Sequence, residues 1–233
     1  MKFTIFQHVP HEHAGLFGKC AKQRGVQLNI IKLWEPYTMP AVSQADALII
    51  LGGPMGVYEE FFSKADELNF IKQALGKIPI IGFCLGSQLL AHALGAKVYP
   101  NEKDGKRIKE IGYYNVELTP DGKEDKIFQS FSSPIKVLQW HGDAFDLPGG
   151  ATLLATSKDC VNQAFRFGEK AYGMLFHNEF TPQMVEKQIE IDKKWIHENF
   201  IMDEEKLKQE AKENAGLMEQ QCQKLLDNFI STI

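Results

Sequence analysis

The chain has 233 residues, 44% hydrophobic and 24% charged, with a formal net charge of −4. That length and apolar share suit one globular unit with a sizeable core, and the slight acidity gives no sign of nucleic acid or an anionic membrane as a partner. No apolar run is long enough to span a bilayer, and the opening MKFTIFQHVPHEH does not read as a secretion signal. Four cysteines, Cys20, Cys84, Cys160 and Cys222, lie far apart with no CxxC pair. They read as free thiols of a reducing compartment, so a cytoplasmic protein without a disulfide framework or zinc site is expected.

Taken in chain order, apolar runs at Phe3–Phe6, Leu28–Leu33, Ala47–Leu51 and Ile78–Phe83 predict strands. A helix is expected from Ala14 to Arg24, ended by Gly25, and another from Ser63 to Leu75, ended by Gly76. Strand and helix alternating at this spacing imply crossover connections and a mostly parallel sheet with helices on both faces. Continuous apolar strands such as ALIIL agree, since both their faces would be buried. From about Lys109 the segments KEIGYYNVELT, IKVLQWHG, ATLLATS, NQAFRF and AYGMLFH follow one another across short turns. They predict a small, partly antiparallel section within the same domain. Thr181-Pro182 resembles a helix N-cap with proline in the first helical position, and a helical tail over 182–233 is expected to pack on the sheet's flank. No linker or repeat divides the chain, so a single α/β domain over 1–233 is expected.

Three loops after strands carry chemistry. In Gly82-Phe83-Cys84-Leu85-Gly86 a cysteine stands where a strand turns into a helix. Flanking glycines relieve crowding at such an elbow, and a helix N-terminus lowers a thiol's pKa. The Leu85 N–H would face an oxyanion formed on a substrate. The same glycines would also suit a buried, unreactive cysteine beside close helix–strand packing. A thiolate needs a base, and His177 ends a strand-like run with Glu179 two residues on, able to orient its ring. A surface pair is the plain alternative. His92 and His197 read as solvated helix residues. The third loop, LGGPMGVYEE, follows the strand ALIIL, and Gly52 and Gly53 let its backbone approach a ligand. It could supply a second oxyanion donor or be an ordinary turn; without a following Lys-Ser/Thr it is not a P-loop.

Together, GFCLGSQLLAHALGAKV, LGGPMGV and YGMLFHNEFT resemble the triad-type class I glutamine amidotransferases, most closely stand-alone proteins similar to the glutaminase domain of GMP synthase. The resemblance spans nearly the whole chain, including WHGDAFDLPGGATLLATS, and implies a three-layer, flavodoxin-like α/β fold. It further implies that Cys84 attacks the glutamine amide, His177 shuttles protons and Glu179 orients the imidazole, with no cofactor and no metal. By the same likeness the oxyanion hole is the N–H of Leu85 and of Gly53, with Gly52 the other candidate. Gln88 would contact the bound glutamine, and His141, Gly142 and Asp143 would line its pocket; Asp143 suits a turn equally well. Ammonia would be used by an acceptor on a separate protein, since no synthetase domain fits in this length.

One departure is Asn178, where the family usually has proline between the histidine and the glutamate; losing that stiffness is expected to loosen the pair modestly. His8, His11 and His13 follow the first strand, and with Glu12 they could hold a metal, but a loop lining the substrate entrance is the preferred reading. Two other functions fit the sequence. One is a γ-glutamyl peptidase or hydrolase using the same triad, distinguished only by the outer wall at 8–16, 54–62 and 100–110. The other is a non-catalytic binding or regulatory subunit, which the intact Cys84, His177 and Glu179 argue against.

Overall fold

The computed structural model describes residues 1–198 and 200–233. Along the first part of the chain, strands β1 (Lys2–Gln7), β2 (Gln27–Lys32), β3 (Ala47–Ile50) and β4 (Ile80–Phe83) are interleaved with helices α1 (Gly15–Gln23), α2 (Lys64–Ala74) and α3 (Leu85–Ala93). Short strands β5 (Val98–Pro100), β6 (Glu102–Lys103) and β7 (Lys106–Arg107) follow, then β8 (Glu110–Leu118) and the short helix α4 (Pro120–Glu124). Next come β9 (Ile135–His141), β10 (Asp143–Phe145), β11 (Ala151–Thr156), β12 (Ala164–Phe167) and β13 (Ala171–Met174). Helices α5 (Pro182–Ile191), α6 (Lys193–His197) and α7 (Glu204–Ile230) end the chain.

Nine of these strands form one sheet in the order β2-β1-β3-β4-β13-β12-β11-β8-β9. From β2 to β13 every pairing is parallel, and from β13 to β9 every pairing is antiparallel. The antiparallel part is therefore as extensive as the parallel one, larger than the small section expected. Connection length explains it: β11, β12 and β13 are joined by turns too short for a parallel crossover. β4 and β13, which meet across a long stretch of chain, pair in parallel and join the two halves.

The parallel strands are apolar on both faces because helices cover both. Phe3 and Ile5 of β1, Ala47 and Ile49 of β3, and Ile81 and Phe83 of β4 pack with Leu16, Phe17 and Cys20 of α1 and with Cys222, Leu225 and Phe229 of α7. The alternate residues Phe6, Leu48, Ile50 and Ile80 pack with Phe70 and Ile71 of α2 and Leu85 and Leu89 of α3. Period two on a pleated strand produces this division, and each large side chain so buried contributes about 1.5–3 kcal/mol. A third cluster joins Ile111, Leu138 and Trp140 to Phe180, Val185 and Ile189, then Ile196 and Leu207. It lays α5, α6 and the start of α7 against β8 and β9, beside the C-terminal ends of β4 and β13. Thr181 caps α5 by accepting from the Met184 N–H at 3.2 Å, with Pro182 in the first turn. Among the described residues no helix is long and apolar enough to cross a membrane.

Candidate active site

At the end of β4 the chain turns into α3 through Cys84, whose φ of 48° and ψ of −111° are rare for a side-chain-bearing residue and cost about 1–3 kcal/mol. The turn is held by the Cys84 N–H donating to Met174 O at 2.9 Å and by Ser87 Oγ donating to Cys84 O at 2.7 Å. The flanking glycines answer a packing need. A Cβ on Gly82 would strike the Gly86 carbonyl and come within 2.8 Å of Ser87 N, and one on Gly86 would strike the Ile50 carbonyl. Both glycines bring backbone against backbone, which seats the elbow between β3 and β4.

The Cys84 thiol is buried and donates to Trp140 O at 3.7 Å. Burial pushes the thiol up from its ordinary range, while His177 and the Leu85 N–H draw it back down. His177 lies just beyond β13, fixed by a two-way backbone bridge to Leu138. Its Nδ1 is 2.6 Å from Glu179 Oε1, and both residues are 1% exposed. Burial opposes the imidazolium, but Glu179 and the Cys84 thiol more than offset it, so His177 stands well above the ordinary imidazole range. A carboxylate at Nδ1 fixes the ring's proton there and leaves Nε2 free for proton exchange.

Asn178 does not loosen this pair; it fastens it. Its N–H donates to Glu179 Oε2 at 3.0 Å, a bond proline cannot make, and its Nδ2 donates to Gln221 Oε1 of α7 at 2.9 Å. A proline here would stiffen the turn but could donate to neither Glu179 nor α7.

Gly52 presses against the same center: a Cβ there would collide with Glu12 Oε2 and come within 3.2 Å of His177 Cε1 and 3.6 Å of Cys84 Cβ. Its carbonyl oxygen is 2.9 Å from His8 Nδ1, while His8 Nε2 is 2.9 Å from Glu67 Oε2, and Ser63 Oγ donates to Glu67 Oε1 at 2.7 Å. Both His8 nitrogens thus face acceptors, which calls for a proton on each. Burial resists that charge, but Glu67 raises the His8 pKa above its ordinary value. A planar trans peptide directs N–H and C=O to opposite sides. With the Gly52 carbonyl turned toward His8, the Gly53 N–H points away from it. His8 therefore lies beneath the glycine loop and not at the substrate entrance. His13 accepts from the Gly15 N–H at 3.1 Å, at the surface. His92 and His197 are exposed, and His197 meets Glu204 at 2.8 Å.

Above the thiol opens a cleft of about 320 Å³, walled by Gly53, Gln88, His141, Gly142 and Asp143 among others; His177 and Glu179 stand behind it. Asp143 is more than a turn residue. Its Oδ1 takes Arg107 Nη2 at 2.5 Å and the Tyr58 hydroxyl at 3.4 Å, tying together the 54–62 and 100–110 segments at the rim. His141 Nε2 lies 3.2 Å from Glu110 Oε2 without a well-aligned hydrogen bond. Glu12 and Arg107 fall in the 8–16 and 100–110 segments expected to form the outer wall, whereas Gln188, Asp192 and Trp195 in the cleft wall were not foreseen. None belongs to a spaced motif, and only folding brings them to Cys84.

The family model for Glutamine amidotransferase class-I matches residues 16–196. The chain belongs to the class-I glutamine amidotransferase family. The chain is 34% identical over 197 residues to the glutamine amidotransferase-like protein YfeJ of Salmonella typhimurium, covering 82% of this chain and 80% of that one. It is 32% identical over 184 residues to the glutamine-hydrolyzing GMP synthase of Bacillus velezensis, covering 72% of this chain but only 33% of the synthase. Its fold superposes on a glutamine amidotransferase from Thermotoga maritima with a TM-score of 0.88 at 31% identity, over 99% of this chain and 98% of the other.

Proposed function

We propose that this amidotransferase hydrolyses the side-chain amide of glutamine through a γ-glutamyl thioester on Cys84. The observation that carries the proposal is a buried thiol on a strained elbow beside an imidazole whose far nitrogen is held by a buried carboxylate. Cys84 Sγ attacks the amide carbon as His177 takes the thiol proton and passes it to the leaving nitrogen. The tetrahedral oxyanion receives the N–H groups of Leu85 and Gly53, each worth roughly 10²–10³ in kcat. The C–N bond then breaks and ammonia leaves. Water attacks the thioester with His177 as base, giving glutamate and the free thiol. Glu179 is the positioning residue for His177, and His8 plays that part for the Gly53 N–H through the Gly52 carbonyl. Gln88, His141, Gly142 and Asp143 form the wall for the glutamine head group.

Thiol, imidazole and carboxylate suffice for this chemistry, so no cofactor is required. The glutamine-hydrolyzing GMP synthase, matched over 33% of its length, supports glutamine as the substrate and a synthetase as the user of the ammonia. Residues 1–233 act as one unit, because Gln221 in the helical tail reaches the turn between His177 and Glu179.

The test is glutamate release from L-glutamine and from a panel of γ-glutamyl amides by purified protein, wild type against Cys84→Ser. Turnover by the wild type and loss of at least about 10⁴-fold in the variant is expected. Equal release by both proteins would refute the thiol mechanism.

A further inference from the structure

One titratable group in the cleft has no part in this chemistry. Glu12 is 5% exposed and belongs to the loop between β1 and α1. Among the described residues its carboxylate receives a single hydrogen bond, from Gln188 Nε2 at 3.3 Å to Oε1. Its Oε2 receives none and lies against Gly52, on the side where His177 Cε1 also approaches. The same Gln188 Nε2 donates to Asp192 Oδ2 at 2.8 Å, so one amide spans two carboxylates. Gln188 is itself 2% exposed, and its Oε1 has no partner. Glu12, Gln188 and Asp192 all line the cleft above Cys84.

The Trp140 indole N–H also donates to Asp192 Oδ2 at 2.8 Å, and His11 Nε2 stands 4.0 Å from Glu12 Oε1; among the described residues Glu12 Oε2, Asp192 Oδ1 and Gln188 Oε1 still receive no hydrogen bond. A buried carboxylate oxygen without a hydrogen bond is costly even with the His8 and His177 imidazoles nearby, and an orphaned amide oxygen adds to that cost. Two observations, the underpaired acids and the unpartnered Gln188 Oε1, ask for the same thing: a ligand rich in N–H donors and positively charged. Arg107, the basic residue on the cleft wall, is already engaged by Asp143. Trp195 adds an aromatic wall beside Gly142.

We infer that Glu12, Gln188 and Asp192 form a subsite for an ammonium group on the leaving-group side of the thiol. The side follows from the proposed reaction, on which this part of the inference rests. His177 delivers its proton to the departing nitrogen, and the Glu12 carboxylate flanks His177. A released ammonium ion would satisfy the subsite, and so would the cationic end of a γ-glutamyl conjugate of a diamine. An amino-acid leaving group would set its carboxylate against two acids, so ordinary γ-glutamyl dipeptides are poor substrates.

Binding can be read without catalysis. Cys84→Ser protein is titrated with ammonium chloride and with 1,4-diaminobutane, against sodium chloride at equal ionic strength, following the thermal midpoint. A rise of about 3 °C or more with saturating amine is expected, and it should vanish in the Cys84→Ser/Glu12→Gln double variant. No rise over sodium, or a rise that survives Glu12→Gln, overturns the subsite whatever the enzyme's activity. Kinetics on otherwise wild-type protein then separate the two sources. If the conjugate is the substrate, the γ-glutamyl monoamide of 1,4-diaminobutane exceeds γ-glutamyl-butylamide in kcat/KM by about tenfold, and Glu12→Gln brings the ratio near one. If the site holds released ammonium, that ratio is already near one, and ammonium inhibits glutamine turnover in a Glu12-dependent way. A ratio near one without such inhibition contradicts the leaving-group placement. Glutamate release that persists in Cys84→Ser would instead refute the thioester reading and leave the amine-binding result standing.

Discussion

Asn178 ties the turn between His177 and Glu179 to α7, and its replacement separates two contributions. Asn178→Ala removes the Nδ2 bond to Gln221 Oε1 and leaves that buried oxygen unpaired, a loss of about 1–3 kcal/mol. For a chain of this size about 2 kcal/mol corresponds to a fall of roughly 4–8 °C in the thermal midpoint. The backbone N–H still reaches Glu179 Oε2, so kcat/KM for glutamine should stay within about threefold of wild type. Asn178→Pro removes that N–H as well. A hydrogen bond to a charged acceptor is worth about 1.5–3 kcal/mol, and this one steadies the carboxylate that orients His177. A fall in kcat of about tenfold is therefore expected in addition, since about 1.4 kcal/mol is a factor of ten. Thermal unfolding and glutamate release measure the two effects separately. A double-mutant cycle of Asn178→Ala with Gln221→Ala should give a coupling of about 1 kcal/mol. The reasoning fails if Asn178→Pro keeps both the wild-type midpoint and the wild-type kcat, or if the cycle is additive.

Gly86→Ala forces a methyl against the Ile50 carbonyl and should destabilise by about 3 kcal/mol; an unchanged denaturant midpoint would contradict the close β3–α3 packing. His8→Ala frees the Gly52 carbonyl, and kcat should fall by about 10²-fold with KM changed far less; a loss confined to KM would show that His8 does not act through the oxyanion donor. Burial, with Asp192 adding to it, pushes the Glu12 carboxyl up to about 7, whereas an unfolded chain holds it near about 4.3. The fold then binds the proton more tightly, so this contribution to stability is full below about pH 4.3 and is lost as pH rises through 7, by about 4 kcal/mol at most. Glu12→Gln should accordingly raise the thermal midpoint over wild type at pH 8 and bring no gain at pH 4; equal gains at both would refute the assignment.

Much of this protein is legible before folding. The strands β1 to β4 announce themselves because burial on both faces requires unbroken apolar runs, and Gly25 and Gly76 mark helix ends by taking φ of 71° and 74°. Cys84, His177 and Glu179 stand out as candidates because the glycine-flanked cysteine and the His-x-Glu pair occur together in the order of the family the chain resembles; taken singly, a buried cysteine and a surface pair are equally plain readings. The extent of the antiparallel half was harder to read, because pairing partners are chosen by turn length and sheet twist across the whole chain.

What only the tertiary structure decided is which distant polar groups meet. Nothing near His8 in the sequence points to Glu67, yet the two pair at 2.9 Å and orient the Gly52 peptide. Nothing beside Asn178 points to Gln221, and a substitution that looked like lost stiffness is in fact an anchor to α7. Glu12 and Gln188 are 176 positions apart and meet at the cleft. Sequence patterns record the period of local structure and the needs of a local turn. Hydrogen bonds between remote side chains depend on how the sheet order and the helix packing bring those positions together, and no local period carries that information.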